Sequence, residues 1–365
     1  MPPGVTAEAA VFAAAAAIDG RPVVPACDPS LVVERAIVHR VSALLLRSTW
    51  ARGLHPAVRQ ALEEDARLSA VHSAILDREL EVLLARLADQ GIRPLVTKGA
   101  HLAHTVYAEP ALRPRADTDL LITPEQKPGI SAVLTACGYT RSARTSGSTI
   151  LGQFQLERRL RTGITHYVDV HWRPAAPLLF DRALDIRAMI ATAKPIPELG
   201  PHARGPSYAD ALALSCIHLV SHHWHQILLV WLRDIRLLAD ALMEDDRQRA
   251  VECAVAGSYT VVLHRALMTA RLYFESDGLD RAITCVASHV NDAEPAAALV
   301  RDGRRPVDDL WLDLRDATWH QRATLLREHV LPPVDYMRDR FEGPTPLAYA
   351  KRLFGGVKKW FTVSR

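Results

Sequence analysis

Apolar residues recur every three or four positions along most of this chain and every second position in one short middle section. From about Ala7 to Gln90 the spacing is helical. "PSLVVERAIVHRVSALLLRSTW" and "HPAVRQALEEDARLSAVHSAILDRELEVLLARLADQG" each carry one apolar face, and the second stretch stops at Gly91, a residue that suits a helix end. The period then changes. "IRPLVTKG" has the signature of a short buried strand and Gly99 opens a brief helix, "AHLAHTVY". Pro110 and Pro114 hold a loop ahead of "DTDLLIT", and Pro124 and Glu125 fit the first turn of a helix running to Cys137. "GQFQLERRL" and "ITHYVDVHW" predict two antiparallel strands with Thr162 and Gly163 in the turn. Ser207 and Asp210 form a capping box ahead of "ALALSCIHLVSHHW", and "ILLVWLRDIRLLADAL" and "VVLHRALMTARLYF" follow at helical spacing.

The pattern predicts an α+β fold: a small mixed-sheet core at 91–205 between an N-terminal helical region at 1–90 and a C-terminal helical domain at 206–365. Composition narrows the function classes. In 365 residues, 44 basic side chains nearly cancel 41 acidic ones, leaving +3, so no global charge argues for nucleic acid or a membrane surface. Five scattered cysteines, never in a CxxC pair, read as thiols in a reducing cytoplasm. "AEAAVFAAAAAIDG" imitates a signal peptide, but no Lys or Arg precedes it and Glu8 interrupts it. No apolar run reaches the length of a membrane span, and the expectation is a soluble cytoplasmic protein.

One stretch asks for an explanation. In "RADTDLLIT", Asp117 and Asp119 precede an apolar run, and residues i and i+2 of a strand share a face. Two carboxylates that close repel unless a cation sits between them, and hard oxygen ligands select Mg²⁺ or Mn²⁺. Solvated DxD pairs in turns are also common. In "HYVDVHW", Asp169 lies between Val168 and Val170, so its carboxylate points away from two apolar neighbours. If the two strands are neighbours, three carboxylates converge, as two-metal phosphoryl or nucleotidyl transfer requires; an edge strand with Asp169 in water is the alternative. Before these, "VTKGAHL" joins a strand to a helix through a glycine, a turn that lets backbone approach a phosphate, with Lys98 beside it.

This order of motifs resembles the nucleotidyltransferase superfamily that includes DNA polymerase β. More narrowly, "KGAHLAHTVYAEPALRPRADTDLLI", "VDVHWRP", "HLVSHHWHQILLVWLRDIRLL" and "LPPVDYMRDRF" resemble the bacterial nucleotidyltransferase family 5. The resemblance implies that Asp117 and Asp119 bind two Mg²⁺ (or Mn²⁺) ions and that Asp169 holds the catalytic ion and orients or deprotonates an attacking hydroxyl. It implies a nucleoside triphosphate donor gripped near Lys98 and Gly99, where the superfamily has Gly-Ser. The acceptor is left open by the sequence, with a small molecule, peptide or protein favoured over nucleic acid because no large basic surface is evident. A catalytically inactive nucleotide- or partner-binding module, or transfer of a sugar or phosphate on the same metals, are the alternatives.

Further candidates surround this set. Arg113 and Arg115 could neutralise donor phosphates or be solvated loop charges. His171 shares the face of Asp169, where it could tune the base or bind the leaving group on the donor. His218, His222 and His225 share a helical face, with packing or substrate-facing roles favoured over a metal site. Asp234, on a strongly apolar helix, is expected to pair with an Arg or cap a neighbour. The basic tail "AKRLFGGVKKWFTVSR" is expected to close the helical domain.

Overall fold

A computed structural model describes residues 7–23, 27–142, 152–181, 183–223 and 226–332, with isolated positions at 334, 337, 338, 347, 349 and 351. His225 and nearly all of the basic tail lie outside them. Three helices open the chain: α1 (Ala7–Ile18), α2 (Pro29–Val38) and α3 (Ser42–Leu46). The single periodic stretch from Pro29 to Trp50 is thus broken. Val41 N–H donates to the Ala36 carbonyl and Arg40 N–H to that of Ile37, the paired bonds that close a helix when the next residue is left-handed. That residue is Arg40, at φ 58°. Glycine is usual there, and a side chain costs about 1–2 kcal/mol. The turn is pinned from outside: Leu229 N–H donates to His39 Nδ1 (3.1 Å) and Val230 N–H to the His39 carbonyl (3.4 Å).

Helix α4 (Pro56–Asp89) leads to strand β1 (Leu95–Thr97) and the short helix α5 (Lys98–Ala103). Strand β2 (Asp117–Leu121) is followed by α6 (Lys127–Ala136), β3 (Thr140–Arg141), β4 (Gln153–Arg159) and β5 (Thr165–His171). These make one mixed sheet in the order β1-β2-β5-β4-β3, in which β2 and β5 run parallel and the other neighbours antiparallel. A six-residue helix α7 (Ile186–Ala191) and a two-stranded ribbon, β6 (Lys194–Pro195) with β7 (Arg204–Gly205), lead to the C-terminal helices. These are α8 (Tyr208–His222), α9 (Leu229–Ala241), α10 (Glu244–Ala256), α11 (Thr260–Tyr273), α12 (Asp277–Ala287), α13 (Pro306–Asp316) and α14 (Trp319–Val330). Ser207 caps α8, its hydroxyl accepting from Asp210 N–H at 3.2 Å. The fold is α+β, a mixed sheet flanked by helices.

The sheet has two unlike faces because its strands alternate. Val96, Leu120, Ile122, Val168, Val170, Phe154 and Leu156 pack against Leu80, Leu83, Leu84 and Leu87 of α4 and Ile130 and Leu134 of α6. The opposite face looks toward a second apolar cluster built jointly by α1–α3 and α8–α12. Among the described residues no helix is long and apolar enough to cross a membrane.

Candidate active site

The parallel pairing of β2 with β5 puts Asp119 opposite Asp169, Asp117 opposite Tyr167 and Leu121 opposite His171. Period-two alternation then sets Asp117, Asp119, Asp169 and His171 on the same face. Asp119, Asp169 and His171 are buried, and one potential ligand atom from each lies within 4.8 Å of the others. Asp117 stands outside that tight trio but lines the same cavity of about 340 Å³. Larger hollows open elsewhere on the surface, one of about 960 Å³ near Trp311 and Trp319, without such a group.

Cations hold the cluster together. Lys98 Nζ donates to Asp119 Oδ1 at 2.6 Å, and His171 Nε2 lies 2.9 Å from the same oxygen. Burial works against ionisation of Asp119, yet Lys98 and His171 outweigh it and hold the carboxyl well below the usual carboxylate range. Burial also opposes the Lys98 charge, but Asp119, Asp117 and Asp169 together raise the ammonium. Burial, then Lys98, push His171 down. Asp169 fares differently: burial, then Asp119 and Asp117, push it up to about 7, and its Oδ1 finds no hydrogen-bond partner among the described residues. Burial and Asp119 raise Asp117 as well. An oxygen donor set with an orphaned buried carboxylate oxygen fits a hard divalent cation.

The turn before the pair has its own strain. Lys98 has φ 50°, a left-handed backbone that glycine would adopt freely. A Cβ at Gly99 would sit 3.3 Å from the Arg115 Cβ and 3.4 Å from Arg113 Nη1, so glycine here admits two arginine side chains close to the turn.

Neither arginine is a solvated loop charge. Arg113 makes a bidentate pair with Asp234, Nε to Oδ1 at 2.7 Å and Nη2 to Oδ2 at 2.7 Å, and Tyr107 Oη donates to the same carboxylate at 2.8 Å. All three are buried, so Asp234 has the structural Arg partner its apolar helix suggested. Arg115, 5% exposed, donates through Nη2 to Asp77 Oδ1 of α4 (2.6 Å) and through Nη1 to Thr118 (3.3 Å). Both border the cavity, but their guanidinium groups already have carboxylate partners.

Helices α8 and α9 form the far wall. His218 and His222 stack at 5.3 Å, His223 meets His218 at 4.6 Å and the Trp231 ring at 4.0 Å, and Ser215 lies alongside. Ala176 N–H donates to His222 Nε2 at 3.3 Å. Burial, then the Lys98 charge, push His222 down to about 3, so it is neutral at pH 7. Gln153, His223, Trp231 and Arg40 complete the lining and were not singled out by the sequence.

A family model described as an uncharacterised nucleotidyltransferase matches residues 25–275, well over half of the chain, and the match takes in the sheet, both aspartate strands and the histidine wall. No curated protein matches the chain.

Proposed function

Because the chain belongs to the uncharacterised nucleotidyltransferase family, we propose that it moves a nucleoside monophosphate from a nucleoside triphosphate to a hydroxyl of an acceptor, with divalent metal, Mg²⁺ or Mn²⁺, held by Asp117, Asp119 and Asp169. The observation that carries the reading is the in-register pairing of Asp119 with Asp169 on the face that also bears Asp117. A pure binder has no use for three mutually repelling carboxylates at the floor of a buried cavity. The metal, when bound, supplies charge neutralisation on the phosphates and on the attacking oxygen.

The residues do the rest. Asp169, whose Oδ1 is unpartnered among the described residues, faces the acceptor hydroxyl and takes its proton as the oxygen attacks the α-phosphorus. The bond from that phosphorus to the β-phosphate oxygen breaks, and pyrophosphate leaves. Lys98 and His171 hold Asp119 in its ionised form and fix its orientation. The wall of His218, His222, His223 and Trp231 shapes the acceptor side, a small polar cavity that suits a small molecule or one side chain of a peptide or protein better than a nucleic acid strand.

The test separates chemistry from binding. Asp169→Asn should abolish pyrophosphate release with an acceptor present yet leave Mg²⁺–nucleotide affinity nearly intact, whereas Asp117→Ala should damage both. Equal turnover in wild type and Asp169→Asn would hand the protein to the inactive binding-module reading.

A further inference from the structure

We propose that Arg40, on the turn between α2 and α3, grips the terminal phosphates of the triphosphate; the inference rests on the transfer reaction above and names a residue it did not include. Three observations meet at this residue. The first is place: Arg40 lines the cavity that holds the carboxylates, and its charge is near enough to act on the Asp117 carboxyl.

The second is availability. Of the arginines and lysine lining that cavity, Arg113 is paired with Asp234, Arg115 with Asp77 and Lys98 with Asp119. Arg40 is exposed, and its guanidinium has no hydrogen-bond or ion-pair partner among the described residues. A nucleotide whose α-phosphate lies at the carboxylates carries further negative charge away from them. The planar fork of a free arginine matches two phosphate oxygens.

The third is backbone. Only Arg40, Lys98 and Ser258 combine a side chain with positive φ among the described residues, and two of these three line this one cavity. Strain retained at a site that glycine would relieve argues that the side chain is needed there. The turn is also held rigidly, because Leu229 and Val230 at the start of α9 donate to His39. The guanidinium therefore projects from a fixed base.

Arg40→Gly removes the side chain and relaxes the backbone in one step, so the variant should melt no lower than wild type. Titration calorimetry of the full chain with each of the four ribonucleoside triphosphates, in Mg²⁺, should show triphosphate affinity falling by about 10- to 100-fold, as loss of a charge-assisted phosphate contact predicts. Nucleoside monophosphate affinity should stay within about twofold, and Arg40→Lys should recover part of the loss. Equal triphosphate affinity in wild type and Arg40→Gly, or an equal fall for monophosphate and triphosphate, overturns the Arg40 assignment and leaves the transfer reading standing. Failure of wild type to bind any of the four overturns both.

Discussion

Strands β2 and β5 carry two opposite solutions to burial, one on each face. On the α4 side, Leu120, Ile122, Val168 and Val170 close an apolar layer, and the polar groups set there satisfy one another, His166 being bonded on both ring nitrogens, to Thr118 at 2.9 Å and Tyr139 at 2.8 Å. On the cavity side the same strands hold Asp117, Asp119 and Asp169, with Oδ1 of Asp169 unpartnered among the described residues. The first face is finished by the chain itself. The second is balanced only in part by Lys98 and His171, and could hold a cation. A fold keeps such a face when the guest is the purpose.

Exchanging the two kinds of face should have unlike consequences. The largest effect is catalytic: Asp169→Asn should lower turnover by several powers of ten, because positioning and charge stabilisation are nearly all that phosphoryl-transfer enzymes supply. Leu120→Ala should keep turnover at permissive temperature and instead lose about 2–5 kcal/mol of stability, read from denaturant melts, since Leu120 is fully buried. Asp169→Asn should do the reverse and raise metal-free stability by about 1–3 kcal/mol at pH 7.5, from roughly 1.4 kcal/mol per unit of pKa shift discounted for the polar surroundings. Mg²⁺ should then stabilise wild type more than the variant.

The pH dependence sharpens the contrast. Asp169 is raised from 3.8 to about 7 in the fold, so the folded state binds more protons over that interval and wild type loses stability there as pH rises. The Asp169→Asn advantage should therefore shrink toward pH 4. Burial holds His166 down at about 3 and His101 down at about 4, from 6.5. Their contribution is complete above pH 6.5 and is lost as pH falls through those values, so Asp169→Asn should still unfold in acid. The smallest expected effect is Lys98→Ala, with an intact fold and triphosphate affinity about tenfold weaker by calorimetry, because Asp119 loses the ammonium that offsets its charge beside the incoming phosphates.

The elements of this site were legible where local pattern carries the information. Alternation in "DTDLLIT" and "YVDVHW" identified both strands and the face of each aspartate, and Ser207 marked the start of α8 by its cap. The register that sets Asp119 against Asp169 was not legible, because pairing depends on contacts distant in sequence. The partners of Arg113 and Arg115, which the sequence left between donor-phosphate contacts and solvated loop charges, were hidden for the same reason: their carboxylates lie 121 and 38 residues away. The ribbon β6–β7 and strand β3 are two residues per strand, too short for any period to show. Arg40 was hidden inside a helical periodicity that its own backbone interrupts.

The pairing of β2 with β5 also governs when the carboxylate cluster is completed during synthesis. His171 meets Asp119 across 52 residues, and Arg113 meets Asp234 across 121. Parallel strands and distant ion pairs close late, since loop-closure entropy must be met before their contacts reward it. A nascent chain that has just exposed its D-x-D pair thus lacks both the third carboxylate and the histidine wall. Completion of the cavity thus reports on folding of the chain through α9, and on the proposed reading half-made copies lack the site that would meet a nucleotide.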